Sequence, residues 1–317
     1  MQVLVAGGAG FIGSHLCESL LGNDHDVTCI DNLITGDKNN ISYLLKNSKF
    51  KFINQDISLS DFNLNEKFNF IFHLASPASP NKNNKKSYIN YPVETLLANS
   101  QGTYNLLELA KNNNAKFLYA SSSEVYGDPT VSVQKENYFG NVNPNGVRSP
   151  YDEGKRFGES MTMTYFRKEK LDTRIIRIFN TYGPRMGDDG RVVVNFVKQA
   201  LSGEPITVYG KGDQTRSFCY IDDMISGLNK AMLKNGNGGF VVNLGNPQEV
   251  RILELAKMVR NMTNSKSEIV FRDLPEDDPR IRKPDISLAK KLLDWEPTVE
   301  IEEGLQKTIA YFSKFSE

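Results

Sequence analysis

The start of the chain constrains it most. An apolar run, Val3–Ala6, feeds directly into Gly7-Gly8-Ala9-Gly10-Phe11-Ile12-Gly13 and then into an amphipathic stretch. Glycines at that spacing between a strand and a helix point to a phosphate-binding turn. Gly7 permits the tight turn, Gly10 lets backbone approach a pyrophosphate, and Gly13 lets the helix lie against the strand. The helix opening at Phe11 and Ile12 offers free N–H groups and the positive end of its dipole to the phosphates. The spacing is GxxGxxG rather than GxGxxG, so the next acidic residue matters. Asp31 closes the second apolar run, 18 residues after Gly13. A carboxylate there accepts a ribose 2′-hydroxyl and repels a 2′-phosphate, which favours NAD over NADP. Asp56-Ile57 closes the third run, where the adenine is expected.

Beyond this turn, short apolar runs alternate with helical patterns. Strands are expected at Val3–Ala6, Asp26–Ile30, Lys51–Asn54, Phe68–Leu74, Lys116–Ala120, Thr173–Phe179 and Phe240–Leu244. Helices are expected at Phe11–Leu21, Val93–Lys111 and Tyr151–Arg167. Strands separated by helices require right-handed crossovers and a parallel sheet. Several of these strands are apolar throughout, as a sheet covered on both faces demands. The expected fold is therefore α/β, a Rossmann-type doubly wound parallel sheet with a smaller, interleaved C-terminal α/β substrate domain. After residue 180 the rhythm shortens, punctuated by Pro184, Gly187, Gly190, Gly203, Pro205, Gly210 and Gly212. Residues 1–180, with a return segment at about 217–245, form the expected NAD-binding domain. Residues 181–216 and 246–317 form the second.

Composition excludes several classes. Lys+Arg and Asp+Glu both number 38, so no basic excess marks a nucleic-acid or anionic-membrane surface. The three cysteines, Cys17, Cys29 and Cys219, are odd in number and widely spaced, which speaks against a disulfide framework or a zinc site. With only three histidines, no metal is expected. No apolar run reaches the length of a membrane span, and the first strand begins at Met1, so no leader is expected. The expectation is a soluble protein of a reducing compartment, the cytoplasm.

Tyr151-Asp152-Glu153-Gly154-Lys155 places a phenol and an ammonium one helical turn apart on one face. Lys155 beside the phenol favours the phenolate and should bring its pKa of about 10 towards neutrality. A tyrosinate can take a proton from a sugar hydroxyl as the carbon-bound hydride leaves. Combined with the glycine-rich first turn and the strand end Ser121-Ser122-Ser123-Glu124, the pattern resembles the extended short-chain dehydrogenase/reductase family. Further motifs resemble the UDP-glucuronate decarboxylases, also called UDP-xylose synthases, within that family. They are His73–Pro80, Ser123–Pro129, Arg177–Met186, Asp189–Val193, Asn243–Pro247 and Arg282-Lys283-Pro284-Asp285. The resemblance runs over essentially the whole chain.

The resemblance implies NAD-dependent oxidation at sugar C4, loss of the C5 carboxylate as CO2, and reduction of the 4-keto pentose to UDP-xylose. NAD would be recycled in each turnover. It implies that Ser122, Ser123 and Glu124 border the sugar, with Tyr151 the base and Lys155 its electrostatic partner. Related 4,6-dehydratases carry an acidic residue at the Ser123 position; a serine there can hydrogen-bond a uronate instead of repelling it. Arg282 of the RKP motif would reach the substrate carboxylate or the proton-transfer site, its planar fork suiting a carboxylate. Arg280, two residues away, is an alternative.

By position in the same motifs, Asn32, Leu74, Ala75 and Asn99 would line the cofactor, and Asn99 would do so through its backbone. Asn180, Arg191, Tyr209, Gln214 and Arg216 would line the nucleotide-sugar pocket, with Arg191 and Arg216 on its phosphates. The segment between Pro80 and Asn99 is several residues longer than in the relatives, leaving open whether Tyr88 or Tyr91 faces the substrate. The helices after this segment and around Tyr151 would form the four-helix bundle of a homodimer. His73 reads as a packed strand-end residue, Cys29 and Cys219 as core fillers, and Trp295 as the anchor of the C-terminal helix pair. A 4-epimerase or 4,6-dehydratase of the same family shares the first oxidation, and a catalytically silent NAD-binding regulatory protein is the reading from another class.

Overall fold

The computed structural model describes residues 1–187, 190–236, 238–273 and 282–315. Among these, seven strands form one parallel sheet: β1 (Gln2–Ala6), β2 (Asp26–Asp31), β3 (Phe50–Asn54), β4 (Phe70–His73), β5 (Lys116–Ser122), β6 (Thr173–Ile178) and, much later, β11 (Phe240–Leu244). Their spatial order is β11-β6-β5-β4-β1-β2-β3. The chain runs outward from β1 on one side and then restarts at β4 on the other. The two halves diverge between β1 and β4, and a doubly wound sheet binds ligands at the carboxyl ends of strands at such a point. The apolar run Val3–Ala6 of β1 covers both faces: Val3 and Val5 enter one core, Leu4 and Ala6 the other.

Helices α1 (Phe11–Gly22), α2 (Pro92–Asn99), α3 (Gln101–Asn113) and α4 (Ser149–Glu169) belong to the first half. The single helix expected over Val93–Lys111 is two helices. Ser100 leaves helical geometry (φ −109°, ψ −81°) and its hydroxyl donates to Leu96 O at 2.7 Å. The hydroxyl competes locally with the backbone ladder, which a periodicity reading does not register.

The second half adds three small sheets. β7 (Thr181–Tyr182) pairs with β10 (Cys219–Tyr220), β9 (Thr215–Ser217) with β12 (Glu249–Arg251), and β8 (Ile206–Tyr209) with β13 (Ile269–Arg272). Helices α5 (Val192–Leu201), α6 (Ile221–Leu233), α7 (Ile252–Met262), α8 (Ser287–Leu293) and α9 (Ile301–Phe312) pack around them. Trp295 is buried between α8 and α9, but its ring nitrogen donates to Asp223 O of α6 at 2.9 Å. The Asp223 carboxylate in turn accepts Thr298 N and Val299 N. Trp295 therefore docks the connection between the two C-terminal helices onto a third. All three cysteines are free and buried. Among the described residues no helix is long and apolar enough to cross a membrane.

Candidate active site

The first element of the site is a groove at the switch point, built largely from backbone. Gly7 has φ +82°, and a Cβ there would stand 2.6 Å from Ala75 N, so β1 and β4 end in contact only because this residue is glycine. A Cβ on Gly13 would run into Gly7 O. At Gly10 a Cβ would meet only Gly7 O, at 3.2 Å, leaving its other side open to the groove. Gly10 is the N-cap of α1, and no side chain caps that helix end. Phe11, Ile12 and Gly13 form its first turn.

Asp31, Asn32, Asp56, Ile57, Leu74 and Ala75 line the groove with Gly7 and Gly10. Asp31 Oδ2 accepts Ala9 N at 3.0 Å and Oδ1 accepts Leu33 N at 2.9 Å. Burial raises the Asp31 pKa, opposed by these two N–H groups and by Lys86. Asn32 donates to Asp56 across the ends of β2 and β3 at 2.9 Å. A glycine cradle, an uncapped helix end and a fixed carboxylate at the second strand end fit the pyrophosphate and ribose of NAD.

The second element is centred on α4. Tyr151 is buried and shares a hydrogen bond with Ser122 at the end of β5. Lys155, one turn on, donates to Ala120 O at 2.8 Å and lies 5.1 Å from the Tyr119 ring centroid and 5.7 Å from that of Tyr151. The expectation that Lys155 draws the phenol towards neutrality is corrected here. Burial dominates and pushes the Tyr151 pKa up to about 12, against the Ser122 hydrogen bond. The same burial pushes Lys155 down to about 7. Sequence spacing located the pair but not its desolvation.

Asn99 adjoins Tyr119. Its side chain is fully buried, donating to Thr95 O and Ser76 Oγ and accepting the Tyr119 hydroxyl at 2.8 Å. Its carbonyl accepts Thr103 Oγ1. The Asn99 side chain thus fixes Tyr119, whose ring lies under Lys155, and is tied to the neighbouring Thr95 carbonyl. His73 is buried behind it, bonded to Thr103 at 3.0 Å, and burial followed by Lys155 lowers its pKa to about 3.

The third element is a cluster of charges gathered from distant segments. Glu124, in the turn Ser123–Tyr126, is ion-paired to Arg148 at the N-cap of α4 and to Arg282 at 2.9 Å. Arg282 also donates to Ser123 O at 2.9 Å and is only 3% exposed, so it is no surface residue of a charged run. Arg280 lies outside the described residues. Burial raises the Glu124 pKa, but Arg282 and Arg148 outweigh it and hold the carboxyl below its usual range. Asp152 stands 4.0 Å from Arg148, and burial, then Glu124, push its pKa up to about 7.

Tyr88 is buried and stacked on Tyr151, with centroids 5.1 Å apart and planes 11° apart, while Tyr91 precedes α2 and accepts Thr95 N. Of the two tyrosines left open by the sequence, Tyr88 is the one against the Tyr151 ring.

The C-terminal residues divide into two groups. Arg191, the N-cap of α5, lies 5.9 Å from the Phe11 ring and close enough to Tyr151 to act on its phenol. Arg216 of β9 acts on Glu124. Asn180 joins β6 to β7, its carbonyl accepting Cys219 N at 2.9 Å. Tyr209 and Gln214 pair with each other, Gln214 donating to Tyr209 O at 2.7 Å, and Tyr209 is exposed. Sequence reasoning missed Arg148 and Asp152. Their four-residue spacing across Tyr151 was the available signal, since it puts opposite charges on one helix face.

A sequence model of the family described as "NAD dependent epimerase/dehydratase family" matches residues 3–245. A Xenopus tropicalis protein named UDP-glucuronic acid decarboxylase 1 is 49% identical over 314 residues, 99% of this chain and 72% of its own length. An Arabidopsis thaliana protein named UDP-glucuronic acid decarboxylase 4 is 50% identical over 313 residues, 98% and 68%. Among solved structures, UDP-glucuronic acid 4-epimerase from Bacillus cereus in complex with UDP-glucuronic acid and NAD superposes with a TM-score of 0.88. It is 33% identical, over 99% of this chain and 100% of that one. UDP-glucose 4-epimerase from Thermotoga maritima, with UDP-glucose, gives 0.89 at 30% identity, with all of both chains covered.

Proposed function

The chain belongs to the NAD dependent epimerase/dehydratase family, and from that premise we propose that it converts UDP-glucuronate to UDP-xylose and CO2. The observation that carries this reading is identity of 49–50% over nearly the whole chain to proteins named UDP-glucuronic acid decarboxylase. The cluster of Ser123, Glu124 and Arg282 beside Tyr151 supports it, because a uronate carboxylate wants a guanidinium and a hydroxyl rather than an acid.

NAD, held by the Gly7–Gly13 turn and Asp31, would supply the hydride acceptor for sugar C4 and the donor for its later reduction. Tyr151 takes the C4 hydroxyl proton, its oxygen oriented by Ser122, and Lys155 stabilises the charge that develops on the phenol. The oxidised sugar is a β-keto acid. Its C5–C6 bond breaks, CO2 departs, and the electron pair is held as an enolate on the C4 oxygen. Arg282, fixed through Ser123 O and Glu124, holds the carboxylate for that cleavage together with the Ser123 hydroxyl. Glu124, kept ionised by two guanidiniums, orients a water that gives its proton to C5 of the enolate, and does not donate the proton itself. Tyr151 then returns its proton as C4 is reduced.

Residues 1–180 with 217–245 act as the NAD-binding domain, and 181–216 with 246–317 as the nucleotide-sugar domain. There Asn180, Arg191, Tyr209, Gln214 and Arg216 receive UDP. The exposed apolar residues Val93, Leu96, Leu97, Tyr104 and Phe157 on α2, α3 and α4 support a homodimer through a four-helix bundle. Three unpaired cysteines fit a cytoplasmic setting.

Incubation with UDP-glucuronate tests the function. Equimolar CO2 and UDP-pentose with no net NADH are expected. A UDP-uronate epimer without CO2 would replace this reading with a 4-epimerase, the reaction that the Bacillus cereus neighbour is named for.

A further inference from the structure

Asp152 follows the catalytic tyrosine directly and is 6% exposed. Its Oδ1 has no hydrogen-bond partner, and its nearest ion-pair partner is Arg148 Nε at 4.0 Å from Oδ2. A buried ionised carboxylate held so loosely is costly, whereas a protonated one is not. Four elements face it. They bring Glu124 from the turn after β5, Arg148, Tyr151 and Glu153 from its own helix end, Arg282 from the segment ahead of α8, and the Tyr88 phenol from the loop before α2. The Tyr88 hydroxyl is likewise buried without a partner. The mechanism above uses Glu124 and Arg282 and leaves Asp152 with no task.

Two guanidiniums, Arg148 and Arg282, and two carboxylates, Glu124 and Asp152, form the centre of this cluster, with Arg216 acting on Glu124 and Glu153 on Asp152 as an opposite pair at its edges. With Glu124 and Asp152 both ionised, the four groups cancel. With Asp152 protonated, one positive charge is left over. We propose that Asp152 is a positioning residue whose protonation sets the charge that the cluster presents to a sugar carboxylate. This inference rests on the substrate being a uronate, as proposed above. The protonated form supplies the unbalanced guanidinium that a second carboxylate requires, and the ionised form competes with the substrate for Arg148 and Arg282. Burial and Glu124 place the exchange near neutrality, at a pKa of about 7. By linkage, a uronate bound beside Asp152 raises that pKa further, so binding above neutrality takes up a proton.

The test is equilibrium binding to NAD-loaded Tyr151→Phe protein, in which turnover is blocked, with UDP-glucuronate and UDP as the two probes. From pH 6 to 8.5, affinity for UDP-glucuronate should fall about tenfold while that for UDP stays level. Calorimetry at pH 7.5 in buffers of different ionisation enthalpy should show proton uptake with UDP-glucuronate and none with UDP. Adding Asp152→Asn should remove the part of the fall and of the proton uptake that Asp152 contributes, leaving only the residual slope of Lys155. Lys155 titrates in the same range, but its contribution persists in the variant, so the difference between the two proteins isolates Asp152. An unchanged fall in Asp152→Asn protein, or an equal fall for UDP, would overturn the proposal. If Asp152→Asn does not fold, Asp152→Ser, which also removes the titrating carboxyl, takes its place in the same comparison with the parent. Absence of CO2 from wild-type protein would instead overturn the proposed reaction, a separate readout from these binding curves.

Discussion

The two ends of the site are made differently. The cofactor groove is built from backbone and from contiguous sequence: Gly7 to Gly13 and the strand ends at Asp31, Asp56 and Leu74. The sugar end is built from side-chain charges on Glu124, Arg148, Asp152 and Arg282, which come together from three segments. Backbone recognition fixes shape, so it fails when a methyl group is added. A charge cluster fixes potential, so it fails when a charge is removed even if the shape is kept.

The most damaging change should come from adding volume to the backbone-built end. Gly13→Ala drives a Cβ into Gly7 O and to 2.7 Å from Gly8 Cα. Overpacking of this kind costs about 1–3 kcal/mol. NAD affinity should drop more than about a hundredfold, because the turn that cradles the phosphates is displaced. Calorimetric titration with NAD and a melting curve would show both effects, and near-native NAD affinity would break the comparison. Next is Tyr151→Phe, where the two ends meet. Removing the base should lower turnover by about 10²–10⁴-fold, while calorimetry shows NAD and UDP still bound. Full activity would mean that another group accepts the proton. The smallest effect is expected at Asp31→Asn, which keeps the groove's shape and removes its one charge on the ribose. Preference for NAD over NADP, measured by titrating both, should shrink about tenfold. An unchanged preference would show that shape alone excludes the 2′-phosphate.

The same contrast explains what the sequence could convey. The glycine turn, the strand rhythm and the Tyr151–Lys155 spacing are local; the structure places the glycine turn at the switch point of the sheet and Tyr151 and Lys155 against the end of β5. Burial is not local. Lys155 was assigned a charge that favours the phenolate, yet its own ammonium is disfavoured where it sits. The Asn99 side chain is turned inward by its bonds to Thr95 and Tyr119, which its place in the sequence pattern did not reveal. Arg282 was legible only through family resemblance, since 158 residues separate it from Glu124. Tyr88 could not be chosen over Tyr91 until the loop was folded against α4.

The division of labour between the two ends is tested most directly by Arg282→Ala in a single turnover with UDP-glucuronate. NADH absorbance and released CO2 are followed separately. Oxidation at C4 relies on Tyr151 and the cofactor groove, so NADH should form within about threefold of the wild-type rate, which also certifies a folded site. Cleavage of the C5–C6 bond relies on the carboxylate being held, so CO2 release should slow about a hundredfold. CO2 released at the wild-type rate would contradict the division and leave Arg282 as a structural ion-pair partner of Glu124.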